Sequence, residues 1–331
     1  MKKQFCLLAG ATALLFSLTG CESQQADAAA LYIAPGSAFE EQVADDLTIA
    51  LTQRETPLLL PQEGEGYAEL IEARPGVLVA KAADQTQADE IIRLAKKENV
   101  PVLFYGTAPS AKAMAGYDNC WFVGFDPRLE GETAGALLAQ SYQDGAVADK
   151  NADLLLDTVL LQSSADPAPS VVFTEITARS IEDTGLFLTI LGTYGQDSEP
   201  AQAAQAAYDA HGATVEAYLC ADDALALAAV SCLNAQKTYF VPEGESCAIV
   251  CAGGGPDALE AVAAGQITGI AFRDPGTVAG ALEAMCSNAL ARVHITEGTS
   301  FRLEKDRTLY LAVTPVTVEN ITEALAAYPA A

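Results

Sequence analysis

Histidine is scarce in this sequence, which contains only His211 and His294 among its 331 residues. Neither stands in a pattern with a nucleophilic serine or cysteine, and the motifs Gly-x-Ser-x-Gly, Gly-x-x-x-x-Gly-Lys and His-Glu-x-x-His are absent. Those motifs supply the nucleophiles, phosphate loops and zinc ligands of common enzyme classes. His211 precedes a glycine, which is typical of a helix end. The sequence therefore favours a protein that is not an enzyme.

Basic residues are also scarce. The chain carries 18 lysines and arginines against 44 aspartates and glutamates, which gives a formal net charge of −26 at pH 7. Nucleic acid and anionic membrane surfaces attract positive charge, so this acidity argues against both as partners of the folded surface. Roughly 300 residues, half of them apolar, are enough for two domains with separate cores at about 100–200 residues each.

Long apolar runs are absent after the first 20 residues, so no later segment is predicted to span a membrane. Near the start, two lysines precede the apolar run 5–16, which is short for a span and typical of an export signal. The ending Leu-Thr-Gly-Cys resembles the lipobox of bacterial lipoproteins, whose cysteine is acylated. This resemblance implies a signal peptide over 1–20, a lipid anchor at Cys21 and a polar tether over 21–29. An ordinary secretory signal with a chance cysteine is the alternative.

Cysteine motifs for metal binding are incomplete. Cys247 and Cys251 share one apolar run, but no second pair or nearby histidine completes a zinc site. An exported protein can form disulfides, yet several cysteines stand inside apolar runs, which favours mostly free and buried thiols. Apart from Cys6 and Cys21, the cysteines are Cys120, Cys220, Cys232, Cys247, Cys251 and Cys286.

Short apolar runs alternate with amphipathic segments from residue 30 onward. Runs such as 76–80 and 101–105 predict buried strands, and segments such as 39–53 and 86–98 predict helices. This alternation predicts two α/β domains with mainly parallel sheets covered by helices on both faces. Because ligands bind beyond the carboxyl ends of such strands, the predicted site is a cleft between the domains.

Two segments carry a family resemblance. Residues 99–110 read Asn-Val-Pro-Val-Leu-Phe-Tyr-Gly-Thr-Ala-Pro-Ser, and residues 117–127 read Tyr-Asp-Asn-Cys-Trp-Phe-Val-Gly-Phe-Asp-Pro. With Gly-Glu-Thr-Ala-Gly at 131–135 and Ala-Asp-Asp-Ala-Leu-Ala-Leu-Ala at 221–228, they resemble the periplasmic sugar-binding proteins of bacterial ABC importers. Within that family they are most similar to the galactose/glucose-binding proteins.

The resemblance implies an α/β fold of two Rossmann-like lobes with parallel sheets, joined by a three-strand hinge, as in type I periplasmic binding proteins. One lobe is expected to combine residues 30–125 with 274–310, and the other 127–272 with 314–331. Hinge closure would trap a small solute, a sugar or a sugar-like molecule, in the cleft. The implied partners are an ABC permease or a sensor protein.

An acidic loop precedes the apolar run 158–162. Asp149, Asn151, Asp153 and Asp157 stand at positions 1, 3, 5 and 9 of a loop whose alternate side chains would face a hard cation, although an ordinary solvated turn has the same letters. The resemblance implies a calcium ion here, held also by the carbonyl of Leu155 and by a remote acid at Glu216. The position that usually holds glycine for the sharp turn is Leu154, which departs from the pattern.

The sugar contacts of the family are mostly replaced. Its His-x-Asp-x-x-x-Arg set falls on Pro167, Pro169 and Phe173, and its stacking tryptophan has only a loose counterpart in Tyr194. Tight galactose binding through the family's contacts is therefore not expected, since hydroxyls in a dry cleft need polar partners. The remaining contact positions carried over by the resemblance are Ser37, Phe39, Gly106, Asp222, Gly253 and Arg273.

Two hypotheses follow. Arg273 would clamp a carboxylate or phosphate, or would pair with Asp222 or Asp126 and merely hold the lobes. In the first hypothesis the protein is a lipid-anchored, calcium-stabilised solute-binding protein of an ABC importer with an altered ligand. In the second it is a surface lipoprotein that keeps the scaffold but has lost sugar binding, and serves as a sensor partner or structural module.

Overall fold

The structure is a computed structural model that describes residues 26–147, 149–165, 167–236 and 247–328. The predicted signal peptide and Cys21 lie outside these ranges. The strands are β1 (Ala26–Ile33), β2 (Leu58–Leu59), β3 (Pro75–Lys81), β4 (Val102–Tyr105), β5 (Cys120–Phe125), β6 (Leu155–Leu161), β7 (Phe187–Tyr194), β8 (Ala217–Cys220), β9 (Ala248–Gly253), β10 (Gly269–Phe272), β11 (Thr308–Leu311) and β12 (Thr314–Val316).

The helices alternate with these strands along most of the chain. They are α1 (Ala38–Gln53), α2 (Tyr67–Glu72), α3 (Gln85–Glu98), α4 (Ala111–Ala115), α5 (Pro127–Gln143), α6 (Pro167–Glu182), α7 (Pro200–His211), α8 (Asp223–Ala235), α9 (Pro256–Ala263), α10 (Pro275–Ala291) and α11 (Ile321–Leu325). None of the helices in the described ranges combines the length and apolarity that a membrane span needs.

The strands form two six-stranded sheets. The first has the order β11-β5-β4-β3-β1-β2 with parallel neighbours, and the second has the order β12-β10-β9-β8-β6-β7, in which only β12 runs antiparallel. The chain passes between the sheets after β5, after β10 and between β11 and β12. The expected α/β fold of two Rossmann-like lobes with a three-strand hinge is thus confirmed.

Helices cover both faces of the first sheet because its strands are buried on both sides. Val77 and Val79 of β3 join one apolar cluster with α1 and α10, whereas Leu78 and Ala80 join another with α3. Successive side chains of a strand point to opposite faces, so an almost continuous apolar strand fills two helix layers. The run 76–80 reads as apolar throughout for this reason.

The predicted tether is too long. Strand β1 begins at Ala26 and pairs with β3, with Ala26 opposite Pro75 and, after a register shift, Ala29 opposite Val77. Ala28 and Ala29 are buried in this pairing. Alanines suit a crowded sheet interior as well as a tether, so composition alone placed the boundary several residues late, and residues 26–29 belong to the first lobe.

The six cysteines of the described ranges are free thiols, five of them buried and Cys232 partly exposed. Burial raises the pKa of Cys120 to about 11 and that of Cys286 to about 12. Because the thiolate is the reactive form, the raised pKa values make Cys120 and Cys286 weak nucleophiles at neutral pH, and they pack as small apolar side chains.

Candidate functional site

Helix α1 begins beside the carboxyl end of β1, with Ser37 as its N-cap. The Glu40 amide donates to the Ser37 hydroxyl at 3.4 Å, and the Ser37 amide donates to the Glu40 carboxylate at 2.8 Å. This reciprocal pair is a capping box. Phe39, between them, lies edge-on to Phe125 at a ring separation of 6.4 Å. Ser37 therefore serves the helix start, while Phe39 presents a ring beside the passage between the lobes.

The Glu40 carboxylate is paired with a buried lysine. Lys81, at the end of β3, is only 5% exposed. Its ammonium lies 3.5 Å from Glu40 Oε2 and donates to the Pro35 carbonyl at 2.9 Å. Gly106 follows β4 with a φ of +71°, and a Cβ there would lie 2.7 Å from Glu40 Oε1. The glycine at this predicted sugar-contact position leaves the space that the Glu40 carboxylate fills.

The second lobe places two aspartates after β8. Asp222 is the N-cap of α8 and accepts from the Leu225 amide at 2.9 Å. The Asp223 carboxylate accepts from the amides of Gly254 at 2.9 Å and Gly255 at 2.7 Å, which open the turn between β9 and α9. The two neighbours therefore serve different elements, one capping a helix and the other holding a turn.

Gly253 repeats the arrangement seen at Gly106. Its φ is +121°, and a Cβ there would lie 2.7 Å from Asp223 Cγ, so the glycine again makes room for a carboxylate from a helix. Burial raises the pKa of Asp223 to about 6, against the opposing effects of the two amide donors and of the Arg273 charge. A carboxyl group of this kind is partly protonated near neutral pH.

Arg273, at the end of β10, is held by Glu130 of α5. Its guanidinium forms a two-pronged pair, with Nη2 donating to Glu130 Oε2 at 3.0 Å and Nε donating to Oε1. Glu130 is 1% exposed. Burial opposes the charge on Arg273, but Glu130, Asp223 and Asp222 raise the pKa of the guanidinium above its usual value. Arg273 also lies over the Phe125 ring, 5.8 Å from its centroid.

Of the two alternatives for Arg273, an internal pairing with Asp222 or Asp126 was wrong about the partner. Its carboxylate partner is Glu130, whereas Asp126 pairs with Arg128 at 2.9 Å and Asp222 caps a helix. The reason is position: Glu130 projects from the first turns of α5, which packs against β9 and β10. Glu130 is 143 residues from Arg273 in the sequence, so no local motif indicates that the two side chains meet.

A cavity of about 170 Å³ opens at this side of the second lobe. It brings together Arg273 and Asp222, and Pro169 and Phe173 contribute apolar surface where the resembling family has polar groups. It is lined by Pro127, Glu130, Ser163, Ala165, Pro169, Ser170, Phe173, Ala221, Asp222 and Arg273. A larger opening of about 340 Å³ lies beside β12 and α11, and only Phe272 and Asp274 connect it with the hinge after β10.

Sequence reasoning missed three charged residues of this cleft, Glu40, Lys81 and Glu130. Glu40 follows Ser37 in the spacing of a capping box, and Lys81 is the one charge at the end of an otherwise apolar strand. Both signals are visible in the sequence, but neither says that the two side chains meet. Tyr194, the loose counterpart of the family's stacking tryptophan, instead packs edge-on to His211, and its hydroxyl lies 2.8 Å from His211 Nε2.

The acidic loop is wound around its first aspartate. The Asp149 carboxylate accepts from the amides of Asp153 at 3.2 Å and Leu154 at 2.7 Å. Asn151 Nδ2 lies 3.1 Å from Asp153 Oδ2 and 3.4 Å from Asp157 Oδ2. Leu154 has a φ of 67°, the left-handed conformation that the usual glycine would adopt without strain. The loop turns here despite the missing glycine.

Glu216 lies directly against this loop. It is fully buried, and its carboxylate accepts from the Asp157 amide at 2.8 Å and from the Lys150 amide. Burial raises the pKa of Glu216, the two amides act in the opposite sense, and the charges of Asp157 and Asp149 raise it further. Burial, then Asp153 and Asp149, likewise raise the pKa of Asp157.

The predicted ligands thus share one region but do not form a finished metal shell. Within the described ranges, no group of three or more His, Cys, Asp or Glu side chains is arranged to hold a metal ion. Leu155, whose carbonyl is the predicted sixth ligand, begins β6, and its amide donates to Asp153 at 2.9 Å. In chemistry the set of carboxylate, amide and carbonyl oxygens fits a hard cation.

Comparison with known proteins places the chain in a family. Residues 65–291 match the family model described as a periplasmic binding protein domain. A curated relative, the D-galactose/methyl-galactoside binding periplasmic protein of Haemophilus influenzae, is 27% identical over 254 residues, covering 75% of this chain and 74% of that protein.

Solved structures share the fold at low sequence identity. An ABC transporter periplasmic solute-binding protein from Actinobacillus succinogenes with bound D-allose is 14% identical and has a TM-score of 0.69, covering 89% of this chain and 98% of that one. A solute-binding protein from Bacillus halodurans with bound myo-inositol is 16% identical with a TM-score of 0.67, covering 93% and 100%. These relatives are binding proteins, so the prediction of a non-enzyme is confirmed. The family model spans more than half of the chain, and the protein therefore belongs to the periplasmic binding protein family.

Proposed function

We propose that the protein is an exported solute-binding protein that captures a carbohydrate or a related polyhydroxylated solute in the cleft between its lobes. It then presents the closed, loaded form to an ABC-type permease. The observation that carries this proposal is the convergence of polar and aromatic side chains at the carboxyl ends of both sheets, where Phe39 and Phe125 lie on one side and Arg273 and Asp222 on the other. The relatives that bind D-galactose, D-allose and myo-inositol support the solute class.

The test is ligand-dependent thermal stability of the protein without its signal peptide. A ligand at a hundredfold excess over its Kd stabilises the folded state by about 2.7 kcal/mol, so a panel of hexoses, pentoses and cyclitols should contain compounds that raise the Tm. Phe39→Ala removes the ring beside the cleft and is expected to lower this shift. The matched control is Phe187→Ala, which removes an exposed ring at the amino end of β7, away from the cleft. This variant should keep the full ligand-induced rise in Tm. A panel without any stabilising compound would contradict the proposal.

Calcium stabilisation is a second part of the proposal. Asp149, Asn151, Asp153, Asp157, Glu216 and the Leu155 carbonyl would hold the ion, whose charge would offset a group of carboxylates that repel one another. The raised pKa values of Glu216 and Asp157 agree with this, since burial, followed by the charges of the neighbouring carboxylates, disfavours their ionised forms, and a bound cation would favour them. A melt with calcium against a chelator should show a higher Tm with the ion, and Asp153→Ala should abolish the difference. An equal Tm in both conditions would rule the ion out.

Lipid attachment at Cys21 is a third part, motivated by the Leu-Thr-Gly-Cys sequence. The expectation is that the protein partitions with membranes and that mass spectrometry of its amino-terminal peptide detects a diacylglyceryl group on Cys21. Cys21→Ser should release the protein in soluble form. An unmodified residue 21 in the exported protein, or cleavage at another position, would identify an ordinary secretory signal.

A second candidate function is favoured by one observation. Both cleft cations already have internal partners, Lys81 with Glu40 and Arg273 with Glu130, so the cleft can be satisfied without a ligand. In this alternative the protein keeps the binding fold and acts as a sensor partner or structural module. This alternative is tested with a variant whose cleft is blocked, for example Gly106→Phe. If the variant still binds a membrane partner, the alternative is supported. Loss of the interaction on blocking would favour ligand-dependent docking.

A further inference from the structure

The cleft fills two contact positions with carboxylates from neighbouring helices. At Gly106 the space of a side chain is taken by Glu40 of α1, and at Gly253 it is taken by Asp223 of α8. Gly106 and Glu40 belong to the first lobe, and Gly253 and Asp223 belong to the second. At both positions the group that takes the space of a side chain is therefore a carboxyl group, not an amide or a hydroxyl.

The two cations of the cleft already have carboxylate partners, although the Arg273 side chain still lines the cavity. Lys81 is nearly buried, and its ammonium is directed at the Pro35 carbonyl and the Glu40 carboxylate. Arg273 uses Nε and Nη2 on Glu130. An anionic ligand would have to displace one of these carboxylates or lie beside it, and like charges at close range repel strongly where water is excluded.

One acceptor remains open. Glu40 Oε2 receives the Ser37 amide and lies near Lys81, while Oε1 faces Gly106 and accepts no hydrogen bond within the described part of the chain. Asp222 lines the cavity of the second lobe beside Glu130. Hydroxyl and ammonium groups are donors that such oxygens accept.

We infer that the cleft selects neutral or cationic polyhydroxylated solutes, such as sugars and amino sugars, and rejects sugar acids, with Glu40 and Glu130 as the residues that set this charge preference. The inference rests on the proposed function, since it names the ligand class of the same site. It also reverses the expectation that Arg273 clamps a carboxylate or phosphate.

The test compares ligands that differ only in charge. Thermal shift and calorimetric titration at pH 7 would use D-glucose, D-glucosamine and D-glucuronate as one series, and D-galactose, D-galactosamine and D-galacturonate as another. Within the series that binds, the amine and the neutral sugar should stabilise the protein, and the acid should bind at least about tenfold more weakly, which corresponds to about 1.4 kcal/mol.

Two variants connect this preference to the named residues. Glu40→Gln keeps the capping box, since glutamine occupies that position equally well, but it leaves Lys81 without its carboxylate. Glu130→Gln frees the Arg273 fork. Each should narrow the difference in Kd between the acid and the neutral sugar by about threefold, so that the two changes together remove about tenfold. Glu41→Gln and Glu132→Gln change the same charge at exposed sites one or two residues further along the same helices, and should leave the gap unchanged.

The outcomes distinguish the charge preference of the cleft from the solute-binding function. Stronger binding of the acid than of the neutral sugar, in either series, would overturn the charge preference while the solute-binding function stands. An equal gap in Glu40→Gln, Glu130→Gln and the controls would show that other residues set the preference. If neither these six compounds nor the hexoses, pentoses and cyclitols of the wider panel raise the Tm, carbohydrate binding itself is contradicted, and the inference falls with it.

Discussion

Two acidic regions of the molecule balance their charge in different ways. In the cleft, Glu40 and Glu130 each have a cation at hand, Lys81 and Arg273. In the loop 149–157, the carboxylates of Asp149, Asp153, Asp157 and Glu216 face amides and one another. Glu40 and Glu130 therefore need no added ion, whereas the loop is expected to gain stability from a cation or from protons.

The same contrast separates specificity from stability. A pair such as Glu130 with Arg273 decides which ligands fit, because its carboxylate already occupies the arginine fork. The loop lies at the amino end of β6, away from the carboxyl ends that form the cleft. An ion there would act on the folding of the second lobe and not on ligand choice.

The largest expected effect comes from breaking a cleft pair. Arg273→Ala leaves Glu130 buried without its cation, and loss of one partner of a buried ion pair costs about 3–5 kcal/mol. Denaturant unfolding of the variant should show this loss, and Arg302→Ala, an exposed arginine, should not. Arg273→Met combined with Glu130→Leu is expected to recover most of the stability. Equal stability of Arg273→Ala and the parent protein would mean that the pair is not buried as described.

The loop should respond to calcium by up to about 2.7 kcal/mol at a hundredfold excess over Kd. Asp157→Asn should remove this response. It should also make the metal-free protein more stable, because the folded-state pKa of Asp157 is raised and its ionised form therefore opposes folding. Chemical unfolding with calcium or chelator measures both effects, and the exposed Asp183→Asn is the control. A stabilising calcium effect that persists in Asp157→Asn would place the ion elsewhere.

A smaller effect is expected at Asp223. Its folded-state pKa of about 6 lies above its usual value of 3.8, so the folded protein binds more protons between these values than the unfolded chain does. Stability should accordingly rise on the order of 1–2 kcal/mol as the pH falls from about 6 to about 4. Asp223→Asn should lack this component when unfolding free energies are compared across that range. An identical pH profile for both proteins would mean that Asp223 titrates normally.

The smallest effect is expected at Leu154, which is 75% exposed. A left-handed conformation costs a residue with a Cβ about 1–2 kcal/mol, which glycine avoids, but the greater entropy of glycine in the unfolded chain offsets part of this gain. Leu154→Gly should therefore stabilise the protein by about 0.5–1 kcal/mol and strengthen its calcium response. Leu154→Ala keeps the strained backbone and should give no gain. A loss of stability in the glycine variant would show that the leucine side chain makes a contact of value.

The fold was predictable because the strands of a parallel sheet, buried on both faces, appear in the sequence as short apolar runs. The alternation of runs such as 76–80 with amphipathic helices fixed the fold class, since each buried strand must face two helix layers. The start of β1 was not predictable, because alanines such as Ala28 and Ala29 are compatible both with a tether and with a buried strand. Only their pairing with β3 decides between the two.

The placement of the predicted contact positions can be compared with the structure, whereas their contact with a ligand stays a prediction. The positions Ser37, Phe39, Gly106, Asp222, Gly253 and Arg273 all fall at strand ends or helix starts. The glycines gave no sign of what replaces their side chains, because Glu40 and Asp223 reach them from neighbouring helices. Contacts between Glu130 and Arg273 likewise join elements far apart in sequence, and no local pattern marks them.

The most direct test of this account is the identity of the solute that the natively purified protein retains. Native mass spectrometry of the protein purified from its natural source, followed by release and identification of the bound compound, measures it. The balanced charge of the cleft predicts a neutral or cationic polyhydroxylated molecule. A bound sugar acid, a phosphorylated compound or another anion would contradict the account.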